Sequence, residues 1–182
     1  PGRRFGINAR ISEFQAAVLL GQLEMLEEAT ERRIAAMDYL RKGFEGIEGV
    51  EPLPVDPRLT TQHAYQWILR YDAEGFAGVH RDVVLEALRA EGLSCDGPFY
   101  VPMHQHELFT AESRHWPMLA PRYGAGFGDT APQHDLTFPV TARAAYHEAV
   151  WMHYPHLMGS RDDLDAIIEA FTKVQRHASE LR

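Results

Sequence analysis

Between Ala16 and Gly21 the chain reads Ala, Ala, Val, Leu, Leu, Gly, nearly two helical turns without a polar residue. A surface helix shows one apolar stripe, so a segment apolar all round expects protein on every side. Ser12 followed by Gln15 predicts where the helix starts, as a capping box in which each side chain satisfies a backbone N–H that a helix start leaves unpaired. Leu23, Leu26, Met37 and Leu40, set among Glu27, Glu28, Glu31, Arg32 and Arg33, carry the helix towards Lys42, with Gly43 and Gly46 as its stop. Such a helix is about 45 Å long, whereas a compact chain of 182 residues has a radius of gyration of only about 16 Å. Part of it is expected to pack on something outside these residues.

Gly6, Asn8 and Arg10 lie just ahead of this start: a flexible point, an amide donor and a guanidinium fork beside the positive end of a helix dipole. That set suits a phosphate or carboxylate. The plainer alternative, a turn at Asn8 and a solvated charge at Arg10, stays open on local chemistry. The formal net charge is -8 and the 18 basic residues form no stripe, so a nucleic-acid surface is not expected and small molecules or proteins are the expected partners. Cys95 is the only cysteine, which excludes an internal disulfide and favours a reducing, cytoplasmic location. No apolar run reaches membrane-spanning length. The first residues, PGRRFG, contain no initiator Met and no signal-peptide core, so the chain is expected to begin in mid-protein.

A Pro-rich connection from Glu51 to Pro57 marks the internal boundary, giving residues 1–46 as a loop with a long helix and 47–182 as a separate α+β unit. Tyr65, Trp67, Leu69 and Tyr71 alternate with Gln66, Ile68 and Arg70, the period of a half-buried strand. Val79, Val83, Leu85 and Leu88 recur at helical spacing up to Gly92, and a short strand is expected over Leu93 to Cys95. Ala120 to His134 is rich in Gly and Pro and reads as irregular. A short helix over Thr141 to Glu148, a strand over Val150 to Tyr154 and a final helix complete the chain. That last helix starts at a second capping box, Ser160 with Asp163, and carries the stripe Leu164, Ile167, Ile168, Phe171, Val174. The fold class is α+β, with helices on one face of a small, mostly antiparallel sheet.

The segment PFYVPMHQHELF, Pro98 to Phe109, holds Tyr100, His104, His106 and Glu107 between prolines. Tyr100 and His104 either hydrogen-bond a polyhydroxylated substrate or shuttle a proton, since imidazole titrates near neutral pH, or are a packed Tyr and an exposed His. His104, His106, Glu107 and His115 are ligand types, but their spacing is not that of a zinc motif, and no metal site is expected. His153 and His156 flank a Tyr-Pro corner and read as structural. GAGFG, Gly124 to Gly128, follows no strand and opens no helix, so it reads as a loop rather than a phosphate cradle. Lys42 and Lys173 are the only lysines, both near helix C-termini where they are solvated, and neither is a desolvated catalytic amine.

FGINARISEFQAAVLLGQLEMLEE resembles the segment G-x-N-x-R-x-[ST]-E-x-Q-A-A of the DegT/DnrJ/StrS-type aminotransferases, pyridoxal-phosphate enzymes of amino-sugar and aminocyclitol biosynthesis. FYVPMH resembles that family's Y-x-P-x-H loop, and the stretch from Phe138 to Val174 resembles its C-terminal end, nearest to the branch of scyllo-inosose aminotransferases and aminohydroxybenzoate synthases. The resemblance implies the C-terminal small domain of a fold type I enzyme behind an interdomain helix, working as a homodimer or against an N-terminal large domain. It implies that Asn8 and Arg10 reach the phosphate of pyridoxal 5'-phosphate across the dimer, and that Tyr100 and His104 line the sugar or cyclitol side. The family's Schiff-base lysine lies upstream of the matched region, so no catalytic residue is assigned and the isolated chain is expected to be inactive. In a complete enzyme, glutamine or glutamate would be the donor and a keto-sugar or keto-cyclitol the acceptor.

Three alternatives stay open on sequence: an aminohydroxybenzoate synthase-type enzyme, a non-catalytic binding or dimerisation module derived from the family, and a histidine-based metal protein.

Overall fold

The computed structural model describes residues 10–98, 100–105, 118 and 138–181. The capping box forms at Ser12: its Oγ accepts from the Gln15 N–H at 3.3 Å, and Gln15 Oε1 accepts from the Ser12 N–H at 2.8 Å. Helix α1, Glu13–Glu24, follows, and not one of its residues is buried. The long helix is interrupted at Met25 and resumes as α2, Leu26–Phe44; no proline explains the break. From its middle onward α2 turns Ala36, Met37, Leu40 and Phe44 into the core.

Gly43 does not stop the helix, contrary to expectation. It lies in the last turn of α2, where a Cβ would fall 2.2 Å from Ile168 Cδ1, so its bare backbone lets the final helix approach. The reversal comes at Gly49, whose φ of +84° suits glycine.

Four strands form one antiparallel sheet in the order β1-β2-β4-β3: β1 Val50–Pro52, β2 Gln66–Tyr71, β3 Cys95–Asp96 and β4 Ala149–His153. Val50 pairs with Tyr71, Leu69 with Val150, and Cys95 with Met152. The alternation foreseen in β2 holds, with Trp67, Leu69 and Tyr71 buried. With Val150, Met152 and Cys95 they face one core shared with α2, α3 (Arg81–Ala90) and α5 (Arg161–Arg176). Phe44 joins the layers, its ring 6.1 Å from Trp67 and 5.1 Å from Phe171.

Three expectations need correction. The Pro-rich connection placed from Glu51 to Pro57 opens inside β1, because Pro52 sits on an edge strand where a missing N–H costs no ladder bond. The short strand is Cys95–Asp96, starting two residues later than the expected Leu93 to Cys95. The helix placed at Thr141 begins earlier as α4, Pro139–Arg143, and then widens into a π turn, Ala144–Glu148. The stretch from Ala120 to His134, with Gly124 to Gly128, lies outside the described residues.

The second capping box also forms. Ser160 Oγ accepts from the Asp163 N–H at 3.3 Å, while Asp163 Oδ2 accepts from the Ser160 hydroxyl and N–H, both at 2.7 Å. Those bonds, the hydroxyl's foremost, hold the Asp163 carboxyl below its ordinary 3.8. Its contribution is therefore in place above 3.8 and is lost as pH falls through the lower folded value. Ser160→Ala should lower stability by about 1 kcal/mol at neutral pH. Denaturant midpoints at neutral pH and in acid should show the gap between the two proteins closing as the carboxylate protonates.

Candidate functional site

The first part of the site is the start of α1. Arg10 is exposed and heads an open groove of about 640 Å³ with Ile11, Phe14, Gln15, Val18 and Leu19. The capping box occupies the Gln15 N–H, which leaves the Glu13 and Phe14 amides without an acceptor among the described residues. Two N–H groups, the positive end of a twelve-residue helix and one guanidinium are chemistry that suits an anion, set beside the Glu13 carboxylate of the same turn. Asn8, the other donor read from sequence, lies outside the described residues.

The second part is the loop after β3. Tyr100 is exposed, its ring edge-on to Trp151 at 6.2 Å. Pro102 is buried, and Gln105 N–H bonds the Pro102 carbonyl at 2.8 Å to close the turn Met103–Gln105. That turn half-buries His104, whose ring lies 4.7 Å from Phe138. The Tyr146 hydroxyl donates to Gln105 Oε1 from the π turn.

Tyr100 and His104 thus share one short loop beside Trp151, while neither borders the groove at Arg10. Sequence reasoning missed Trp151, Phe138, Gln105 and Tyr146 as neighbours of the loop. For Trp151 a signal existed: with Val150 and Met152 buried, strand alternation puts it on the outer face.

The outer face of the sheet also carries a polar chain. His153 Nε2 lies 2.7 Å from Asp96 Oδ2 and its Nδ1 lies 2.8 Å from Gln66 Nε2, so the Nε2–H tautomer donates to the carboxylate and accepts from the amide. His156 Nε2 donates to the Ser94 carbonyl at 2.9 Å. Both histidines have the structural roles expected of them. Cys95 is fully buried, and burial, with Asp96 adding to it, pushes its thiol up to about 12, which leaves it inert as a nucleophile.

Lys173 pairs with Glu91 at 2.7 Å and Lys42 is exposed, as expected of solvated amines. Among the described residues no three His, Cys, Asp or Glu side chains are grouped to hold a metal ion. His106, Glu107 and His115 lie outside them. No helix among the described residues is long and apolar enough to cross a membrane.

Residues 2–123 match the model of the DegT/DnrJ/EryC1/StrS aminotransferase family. The chain belongs to that family. Proteins carrying the name L-glutamine:3-amino-2,3-dideoxy-scyllo-inosose aminotransferase are 45% identical in Streptoalloteichus tenebrarius and 40% identical in Micromonospora echinospora, each over 100% of this chain. An L-glutamine:2-deoxy-scyllo-inosose aminotransferase of Micromonospora echinospora is 35% identical over 97% of it. The chain spans 43% of the length of each of the first two relatives.

Among solved structures, 3-amino-5-hydroxybenzoic acid synthase superposes with a TM-score of 0.65 at 24% identity, covering 95% of this chain and 42% of that one. An aminotransferase from Streptoalloteichus hindustanus gives 0.64 at 21% identity, covering 99% and 40%. These likenesses show the fold, the small α+β domain of a fold type I transferase. DegT/DnrJ/EryC1/StrS aminotransferases depend on pyridoxal phosphate. At the start of α1 the Glu13 and Phe14 amides and the positive end of the helix suit one side of its phosphate, with the Glu13 carboxylate in the same turn as the one opposing charge.

Proposed function

We propose that this chain acts as the C-terminal part of a pyridoxal-phosphate-dependent aminotransferase that aminates a keto-cyclitol with L-glutamine as donor. The observation that carries the proposal is the identity of 40–45% over the whole chain to relatives named for that reaction. Relatives named for the 2-deoxy-scyllo-inosose reaction are 31–35% identical. The difference favours an acceptor of the first type, a ring that already bears an amine.

The cofactor, when bound, supplies the electron sink that lets an amine leave one carbon and join another. This chain's residues bind and orient. In this reading Arg10, the Glu13 and Phe14 amides and Asn8 hold the phosphate across the interface of a homodimer. The Tyr100 hydroxyl and the His104 imidazole hydrogen-bond ring hydroxyls of the cyclitol, beside the Trp151 edge. Residues 1–46 supply the phosphate loop and interdomain helix, and residues 47–182 the small domain, with the second half of α2 built into its core. Neither Lys42 nor Lys173 lies at either part of the site, so these 182 residues alone have no amine to carry the proton and are inactive by themselves.

The test uses the polypeptide as its native gene produces it, given pyridoxal phosphate, L-glutamine and an amino-dideoxy-inosose, with the product followed by mass spectrometry and NMR. The proposal expects an amine in place of the ring ketone. Arg10→Ala should weaken cofactor retention about tenfold, the loss of one charge-assisted hydrogen bond, read by equilibrium dialysis. Glutamine consumption without cyclitol amination would sink the acceptor assignment, and cofactor affinity unchanged in Arg10→Ala would remove Arg10 from the phosphate site.

A further inference from the structure

The turn that carries His104 has little to hold it from within. Its one backbone hydrogen bond among the described residues is Gln105 N–H to the Pro102 carbonyl, and Gln105 itself is exposed. What holds it comes from the segment Phe138–Glu148, more than thirty residues later in sequence. Phe138 supplies the ring against His104, and Tyr146 supplies a hydroxyl that donates to Gln105 Oε1.

That segment is in turn rigidly mounted. Tyr146 sits in the π turn Ala144–Glu148, and wide turns of this kind persist where the surroundings over-determine them. Here the determinant is Arg81. Its Nη1 donates to the carbonyl of Ala145 at 2.8 Å and to that of Ala149 at 3.1 Å, one on each side of Tyr146. The same guanidinium fills the space a side chain at Gly97 would take, with a Cβ there falling 2.9 Å from Nη2. One buried cation therefore fixes both the base of the loop, at Gly97, and the turn that grips its far end.

We infer that Tyr146 is a positioning residue: its hydroxyl holds the Gln105 amide and so sets where His104 meets the amino acceptor. The inference rests on the proposed role of His104. It requires no contact between Tyr146 and the substrate. Because the hydrogen bond acts on placement of a binding group, its loss appears in KM for the acceptor rather than in kcat.

The experiment uses the full-length holoenzyme with Tyr146→Phe, Gln105→Leu, the pair together, and His104→Ala. Tyr146→Phe removes only the hydroxyl, so the ring still packs. The expected result is a KM for the keto-cyclitol raised about fivefold in each of the first two, the worth of one hydrogen bond. kcat should stay within about twofold and KM for glutamine should not change. The double variant should be no worse than either single one, since both remove the same bond. If His104→Ala impairs the acceptor reaction but Tyr146→Phe does not, or if the two losses add, the positioning role is overturned. An acceptor KM unchanged in His104→Ala would instead overturn the role assigned to His104.

Discussion

Arg81→Ala should cost the small domain about 3–5 kcal/mol, the sum of two charge-assisted hydrogen bonds and a core void. Arg81 is 1% exposed, although it stands in the first turn of α3 where a solvated charge is ordinary. Nε and Nη2 bond Asp82 Oδ1 at 3.0 and 2.8 Å, and Nη1 bonds two carbonyls of the π turn and β4. Asp82 is 58% exposed, so it regains water when the arginine is lost and contributes little to the penalty. The Ala145 and Ala149 carbonyls lose their partner inside the fold, and a guanidinium-sized space opens beside Gly97. Arg81→Met, which refills part of the space, should recover the packing share but not the carbonyl share. Asp82→Asn should change stability by less than about 1 kcal/mol. Chemical denaturation of the three variants checks this, and a loss below about 1 kcal/mol in Arg81→Ala would show that the π turn does not depend on the guanidinium.

Arg81 also shows where sequence stops being legible. Strand β2 and helices α3 and α5 could be read because their apolar residues recur with the period of the element that buries them. Both capping boxes could be read because each is complete within four residues. Nothing local marks Arg81 as buried: its near partner Asp82 is exposed, and the carbonyls it bonds lie 64 and 68 residues away in the π turn and β4. Gly43 failed for the same reason: its neighbour is Ile168, so a glycine that permits a helix crossing looks like one that ends a helix. Strand β1 was hidden by Pro52, which is tolerated only because that strand is an edge, a fact of topology rather than composition.

The candidate site divides along the same line. The cap at the start of α1 was readable because cap and helix are contiguous, and the structure forms it as expected. Tyr100 and His104 could be named from their loop, but not the residues that hold them. Tyr146 and Gln105 are 41 positions apart, and neither has a feature that sets it apart from an ordinary surface residue.

In the full-length polypeptide, Phe14→Glu combined with Leu19→Glu should weaken assembly by roughly a thousandfold. Helix α1 exposes Phe14 by 87%, Val18 by 65% and Leu20 by 64%, and buries none of its residues in this chain. An apolar surface of that extent around a helix is stable in water only when something covers it. Covering one Phe and one Leu is worth about 1.5–3 kcal/mol each, so their loss removes about 4 kcal/mol, three decades in an association constant. Two buried carboxylates would add to the penalty. The fold itself should not notice: the core lies beyond Met25, in the second half of α2 and the sheet. The variant should therefore melt like the parent in the small domain while sedimenting as a smaller species, and, on the proposal that Arg10 reaches the phosphate across the interface, it should lose cofactor affinity as well. If it assembles as the parent does, α1 is not the interface, and the proposed contact of Arg10 with the phosphate would have to be made within one subunit.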